Sequence, residues 1–442
     1  MKKSPLAVAK KGLVATANMF GRVQKTASVA GLSALRVAKG EKLDAYLLKE
    51  AFEQMGVTYI KLGQFIASTP SIFPREYVLA FQDCLDQTAP VPFAVIRQVL
   101  VDELTTNKTS LDDIFAWIDP VPLASASIAQ VHKATLKNGQ QVALKVQKPD
   151  VATIIETDLG VLHSAFWVIE KLLPSMRAAN LAPIIDEMRS RMVAETDFLA
   201  ESRHIDNFLT YLKQTGNTDV VAPVVHRALS TKRVLTMTFL DGRSLIDDGL
   251  GLTAEQAKQV MSTVLDTWFL SLMMTGEFHA DLHAGNLMLL NNGQVAFLDF
   301  GLVGVIDPAS LQACFALVQA LQLNDYQGMA QAMVSIGMTH TMDKMDVDGL
   351  ADDLKRMLGK INPSQHNHSD TQQTDHLNTL MLEMADVGKR HGIHFPRDFA
   401  LLTKQLLYFD RFMLTLAPDM ELFEGQRMTI IQDVSPSVNP AN

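Results

Sequence analysis

The sequence predicts an α+β fold that is mostly helical and carries a short run of strands. Apolar residues recur at spacings of three and four before about residue 118 and again after Pro308, the mark of amphipathic helices. Between 120 and 149 the period falls to strand alternation around an Asn138-Gly139 turn, and a second pair of short apolar segments flanks Asn291-Asn292-Gly293. The 442 residues suggest two or three domain-sized units. Hydrophobic residues at 48% and charged residues at 20% exclude disordered, collagen-like and small disulfide-scaffold classes. Cys84 and Cys314 are the only cysteines; with no CxxC and no signal-peptide cleavage pattern, a reducing cytoplasm is expected and no thiolate-built metal site. No transmembrane helix is expected, since the best apolar run, 263–275, contains Asp266 and is too short.

Taken in order, Leu43, Tyr46, Leu47, Ala51, Phe52, Met55, Tyr59 and Ile60 define one amphipathic helix over 42–64. Helices follow at 75–85 and 93–104, with Pro70, Pro74, Pro90 and Pro92 dividing the block, which stays mainly helical up to Ile118. A strand entering a small-residue turn at 124–127 is followed by strands at 129–136 and 141–146. Helices return at 153–173 and 184–212, separated by Pro174 and Pro183; strands are expected around 220–225 and 233–239, then a long helix over 254–275. From Pro308 the chain reads as helical to Ala417, interrupted by a polar stretch at 362–376, and the tail from Ser435 as disordered. The first 40 residues carry Lys2, Lys3, Lys10, Lys11, Arg22, Lys25, Arg36 and Lys39 and no Asp or Glu, although the whole chain is at −9. That leader reads first as a solvated, partly helical arm; a segment for an anionic membrane surface is the alternative, and no nucleic-acid partner is expected.

The segment richest in chemistry is His279-Ala280-Asp281-Leu282-His283-Ala284-Gly285-Asn286, followed by Asp299-Phe300-Gly301. An Asp, an Asn five positions later and an Asp-Phe-Gly after a hairpin suit phosphoryl transfer from ATP. Asp281 can orient or deprotonate an attacking hydroxyl, while Asn286 and Asp299 supply hard oxygens to Mg2+ bridging the phosphates. Gly301 permits a sharp turn after the metal ligand. Val142-Ala143-Leu144-Lys145 has the alternation of a buried strand that presents an ammonium to the α and β phosphates, and Glu195, Asp197 and Glu201 are its candidate carboxylate partners. His279 is expected to position the loop backbone, and His283 either orients phosphate or faces solvent. His366, His368 and His376 read as a solvated loop, and Met273 and Met274 as core filler. Asp346-Val347-Asp348-Gly349 fails as a calcium loop because Lys344 and Lys355 stand at its first and twelfth ligand positions.

These residues resemble the protein-kinase-like superfamily and, more narrowly, the UbiB/AarF family of atypical kinases associated with coenzyme Q biosynthesis. Pro122-Leu123-Ala124-Ser125-Ala126-Ser127-Ile128-Ala129-Gln130-Val131-His132 stands where a kinase has its Gly-rich loop and is similar to the family's Ala-rich loop. Lys61-Leu62-Gly63-Gln64 resembles the family's KxGQ motif, and Glu195-Thr196-Asp197 its ExD motif, with Glu201 at the place of the lysine-pairing glutamate. The family's Ser/Thr-Arg-x-Asp continuation of KxGQ is absent from Ser68-Thr69-Pro70-Ser71.

The resemblance implies a two-lobed protein-kinase-like fold with an N-terminal helical extension. Its expected parts are a basic arm at 1–41, the KxGQ extension at 42–117, a small lobe at 118–240, a larger helical lobe at 241–434 and a tail at 435–442. It implies that ATP and Mg2+ bind, with Ala124, Ser125, Ala126, Ser127, Lys145 and Glu201 around the nucleotide, Asp281 and Lys145 catalytic, and Asn286 and Asp299 on the metal. It also implies a regulatory role for Lys61 and Gln64 with Glu195 and Asp197, in which the KxGQ helix covers the place of a peptide substrate. The expected function is an atypical kinase or ATPase acting on a small molecule, quinone or lipid, cytoplasmic or peripheral to a membrane. The alternative is a nucleotide-gated lipid-binding or regulatory protein that transfers no phosphate. A general protein kinase is disfavoured, because 301–311 holds no Ala-Pro-Glu.

Overall fold

A computed structural model describes residues 44–67, 75–81, 89–172, 188–189, 192–245, 247, 250–337, 346–360, 373–393 and 395–420, with 21, 24, 28, 29 and 36. Most of the basic leader, Cys84, His366, His368 and the tail lie outside the described residues; Arg36 of the leader meets Glu50 at 2.7 Å. The chain divides into two compact units, one of Met1–Ala67, Glu76–Ser202 and Val225–Phe239, the other of Ser68–Arg75, Arg203–Val224 and Leu240–Asn442.

The first unit is built on an antiparallel sheet in the order β1 (Phe115–Ile118), β3 (Ala129–Leu136), β4 (Gln141–Gln147), β6 (Val234–Thr238), with β2 (Ala124–Ser125) pairing on β3. Asn138-Gly139 makes the β3–β4 turn, where Gly139 takes φ +87°. Val142, Leu144 and Val146 of β4 share one face with period two and join Ile96, Val99 and Leu100 of the helix Phe93–Leu104 in the core. Burying each of these side chains contributes roughly 1.5–3 kcal/mol, and the same alternation puts Lys145 on the opposite face.

Helices α1 (Ala45–Met55) and α2 (Val57–Ala67) replace the single helix expected over 42–64. Gly56, at φ +102° and ψ −155°, breaks the ladder, and Asp44 caps α1 by accepting from the Leu47 amide at 2.9 Å. The Thr58 hydroxyl donates to Asp158 at 2.7 Å, both residues buried, and so fixes α2 to the helix Val151–Leu172. Residues 115–118 are strand rather than helix, because Phe115, Trp117 and Ile118 pair with Leu136, Thr135 and Ala134. The helix expected over 184–212 is interrupted. Asp197 accepts from the Leu199 amide at 3.1 Å and starts a new helix, Phe198–Thr215, after the turn at Thr196.

The second unit contains a four-stranded sheet, β5 (Val220–Val221), β10 (Val295–Phe297), β9 (Leu287–Leu290) and β7 (Gly242–Ser244), and a two-stranded ribbon of β8 (Glu277–His279) with β11 (Val303–Val305). Strands β7 and β11 were not expected, being too short at three residues each to show alternation. The long helix Ala254–Thr275 appears with the expected bounds, opened by a Thr253/Gln256 capping box and closed by Gly276 in the left-handed region. Its Trp268 is almost fully buried, edge-on to Phe278 at 5.6 Å and to Phe409 of the helix Arg397–Leu416 at 5.1 Å. His376 lies within the helix Gln373–Arg390, not a loop, and Met274 is exposed rather than core filler, since it falls on the outer face of its helix. Burial pushes the Cys314 thiol up to about 12, so it stays unreactive. Among the described residues no helix is long and apolar enough to cross a membrane.

One buried histidine makes the first unit sensitive to acid. His132 of β3 meets the Asp119 carbonyl through Nδ1 at 2.8 Å and the Gln130 amide through Nε2 at 3.4 Å. Donation by Nδ1–H with acceptance at Nε2 requires the neutral ring, and burial likewise holds its pKa below the ordinary value. The unfolded chain therefore takes up this proton first, so the stabilisation is present above about pH 6.5 and is lost as pH falls below it. Denaturant unfolding is expected to show falling stability from pH 7 to pH 5, with a smaller fall in His132→Gln; an equal fall in both proteins would assign the effect elsewhere.

Candidate active site

In the first unit, Lys145 projects from the middle of β4 and its Nζ lies 2.8 and 2.9 Å from the two oxygens of Glu201. Glu201 sits in the first turn of the helix Phe198–Thr215 and is only 4% exposed, so the pair is withdrawn from water. The Phe198 ring stands 5.5 Å from the same ammonium. Of the three candidate carboxylates, Glu201 is the one on Lys145. Glu195 lies 2.9 Å from Lys61 Nζ, whereas Asp197 caps the helix after it and faces the exposed Lys232 at 3.7 Å. Lys61 and Gln64 stand one turn apart in α2, well inside the helix.

The Ala/Ser turn is tightly closed. Ala124 pairs with Val131 and Ser125 with Gln130, and the Ala126 amide donates to the Ala129 carbonyl at 2.9 Å. That bond engages a backbone N–H of the kind that a glycine-rich loop offers to phosphate. The Ser125 hydroxyl is buried with no protein partner among the described residues, which leaves a donor suited to a phosphate oxygen.

In the second unit the chemistry is organised by His279, wholly enclosed at the end of β8. Its Nε2 meets the Leu298 carbonyl at 2.9 Å, and its Nδ1 accepts from the Asp281 amide at 3.2 Å. The Trp268 indole donates to the His279 carbonyl at 2.8 Å. Burial holds the imidazole well below its ordinary pKa, which suits a ring donating at one nitrogen and accepting at the other. His279 thus joins the backbone at Asp281 to the residue just before Asp299.

Asn286 is buried in the short 3-10 turn Ala284–Asn286, and its amide nitrogen donates to the Asp281 carbonyl at 2.8 Å. That bond orients the amide oxygen as the group to meet a cation. Asp299 holds φ +50°, which is sparsely populated by non-glycine residues, and its Oδ1 accepts from the Gly301 amide at 3.2 Å. An amide oxygen and a carboxylate suit Mg2+, which binds through one or two protein oxygens plus phosphates and water. His283 caps the 3-10 turn through Nδ1, accepting from Gly285 at 3.0 Å, with Nε2 3.9 Å from Asp281.

Two residues here carried no signal in the sequence. Lys404 Nζ lies 2.8 Å from Asp281 Oδ1, and Gln405 exchanges hydrogen bonds of 2.8 and 3.1 Å with the Leu282 backbone. Both sit in an ordinary amphipathic helix 123 residues further along, and periodicity alone does not say which of its polar residues reach a loop. A cavity of about 210 Å³ lined by residues including His204, Phe208, Glu277 and Phe300 touches His279 but none of Asp281, Asn286 or Asp299.

Strands bearing a glutamate-paired lysine, together with an Asp281, Asn286 and Asp299 loop set, define a kinase-like protein. The ABC1 atypical kinase-like domain matches residues 83–333, and the chain belongs to that family, the aarF or UbiB group. It is 39% identical over 410 residues to an uncharacterized chloroplastic aarF domain-containing protein kinase of Arabidopsis thaliana, covering 88% of this chain and 75% of that protein. An uncharacterized Mycobacterium tuberculosis protein is 30% identical over 86% of this chain and 76% of its own length. ACTIVITY OF BC1 COMPLEX KINASE 8, chloroplastic, of Arabidopsis thaliana is 32% identical over 67% of this chain and 39% of its own. The solved complex of Rv3197 with erythromycin from Mycobacterium tuberculosis aligns over 70% of this chain and 82% of that one, with TM-score 0.48 and 22% identity.

The Lys145 pair gives a stability test independent of activity. Lys145→Met strands the enclosed Glu201 carboxylate and is expected to cost about 3–5 kcal/mol in denaturant unfolding. Lys145→Met/Glu201→Met removes both charges and is expected to recover at least half of that loss; additive destabilisation would show that the two residues act independently.

Proposed function

We propose that this protein binds Mg-ATP and transfers its terminal phosphoryl group to a hydroxyl of a small molecule, of a hydroxyl-bearing quinone or of a lipid, or to water. The observation that carries this is the Lys145–Glu201 pair at 2.8 Å, an enclosed strand lysine held by a helix carboxylate in a chain that also bears Asp281, Asn286 and Asp299. Lys145 and the Ser125 hydroxyl would serve the phosphates, and Asn286 and Asp299 would hold Mg2+. Bound magnesium would neutralise phosphate charge as it builds in the transition state. Asp281 would take the proton of the acceptor hydroxyl as its oxygen bonds to the γ phosphorus; the bond from that phosphorus to the bridging oxygen breaks and ADP departs with the electron pair.

The family resemblance implies that α2 covers the place of a peptide substrate, which favours a small acceptor over a protein; Lys61 of that helix lies 2.9 Å from Glu195. A helix fixed by the buried Thr58–Asp158 bond and by this ion pair is not readily displaced by an extended peptide.

Asp299→Asn is expected to abolish magnesium-dependent ATP binding and turnover, because an amide lacks the anionic ligand. Titration calorimetry and phosphate release check this, and turnover within twofold of wild type would remove Asp299 from the metal. Lys61→Ala is expected to give autophosphorylation with labelled ATP that wild type lacks. No label on the variant, with phosphate release intact, would leave α2 a purely structural element.

A further inference from the structure

The helix Arg397–Leu416 lies beyond the residues matched by the family domain, 83–333, yet it grips the Asp281 loop at adjacent positions. Gln405 is fully buried; its Oε1 accepts from the Leu282 amide at 2.8 Å and its Nε2 donates to the Leu282 carbonyl at 3.1 Å. Lys404, the residue before it, places Nζ 2.8 Å from Asp281 Oδ1. On the same helix Asp398 accepts from the Val305 amide at 3.3 Å, in the strand paired with β8, and Phe409 packs edge-on to Trp268 at 5.1 Å. The helix is therefore fixed to the loop through backbone, carboxylate and core, and Lys404 is not a free surface lysine. Its ammonium also stands 5.2 Å from the Tyr408 ring, one turn on.

A partly exposed ion pair of this kind contributes little to stability. Lys404 and Asp281 are 28% and 33% exposed, so the consequence to look for is chemical. Asp281 is the one acidic side chain assigned to the acceptor hydroxyl, and it must work beside incoming anionic phosphates. We propose that Lys404 is a positioning residue for phosphoryl transfer, fixing the direction of the Asp281 carboxylate and offsetting its charge from a helix outside the matched domain. This rests on the phosphoryl-transfer function proposed above. Lys404 acts through Asp281, so its effect falls on kcat and depends on that carboxylate being present.

The test compares full-length wild type, Lys404→Met, Lys404→Arg, Asp281→Asn and Lys404→Met/Asp281→Asn in ATP turnover, with Mg-ATP affinity from calorimetry. Methionine keeps the length of the apolar stem and removes the charge. Lys404→Met is expected to lower kcat by roughly 10- to 100-fold, the scale of misplacing a reacting group, with KM for ATP changed by no more than about threefold. Lys404→Arg restores most of kcat, and Lys404→Met adds no further loss in the Asp281→Asn background. Unchanged kcat in Lys404→Met, equal loss in the arginine variant, or additive loss in the double variant overturns the proposal. If the methionine variant fails to fold while wild type and Lys404→Arg are stable and equally active, Lys404 is structural and the proposal also falls. Mg-ATP binding without turnover in wild type overturns the phosphoryl-transfer function itself, and the role of Lys404 with it.

Discussion

The second unit depends on a neutral imidazole enclosed in protein. His279 faces two segments that are separate in sequence, accepting from the Asp281 amide and donating to the Leu298 carbonyl, so the Asp281 backbone and the segment leading into Asp299 are referenced to one ring. A charged ring has no acceptor nitrogen, and burial disfavours that form. The neutral state is therefore both the folded state and the state that sets the site. Trp268 fastens the same residue by its carbonyl and spreads the constraint into the aromatic core through Phe278 and Phe409. The strained backbone of Asp299 persists because the strand before it and the Gly301 amide after it are both held.

The first unit meets a different constraint: it must hold an ammonium away from bulk water. Alternation along β4 drives three apolar side chains into the core and thereby sends Lys145 to the other face, where Glu201 offsets the cost of enclosing a charge. The helix carrying Glu201 begins where it does because Asp197 caps it, which links the position of one carboxylate to the conformation of another. In the Glu195-Thr196-Asp197 motif the two acids thus have separate physical tasks, one on Lys61 and one at a helix start.

Much of this was legible because it rests on local rules. The β3–β4 hairpin follows from period two around Asn138-Gly139, and the helix Ala254–Thr275 from its long apolar run. The order of Lys61, Lys145, Glu201, Asp281, Asn286 and Asp299 was visible as motifs. Features set by distant partners were not. Phe115–Ile118 becomes a strand only because β3 offers it an edge, and Gly56 reads as a tolerated helical glycine until its φ of +102° is seen. Lys404 and Gln405 reach their loop by tertiary packing, and nothing in their own helix distinguishes them from solvated polar residues.

Lys61, Lys145 and Lys404 each lie 2.8 to 2.9 Å from a carboxylate within their own unit. A pair held at that distance has little net charge at the range of a Debye length, so these lysines do not act as a long-range attractor for anions. What they would offer a nucleotide under the proposed function is direction: an ammonium already ordered by its carboxylate loses little further freedom when a phosphate oxygen approaches. On the proposed function, the charge to offset a triphosphate would then come largely from the metal. On that same function, the amide of Asn286 and the carboxylate of Asp299 would be the charge-determining part of the site, and the lysine pairs its geometry-determining part.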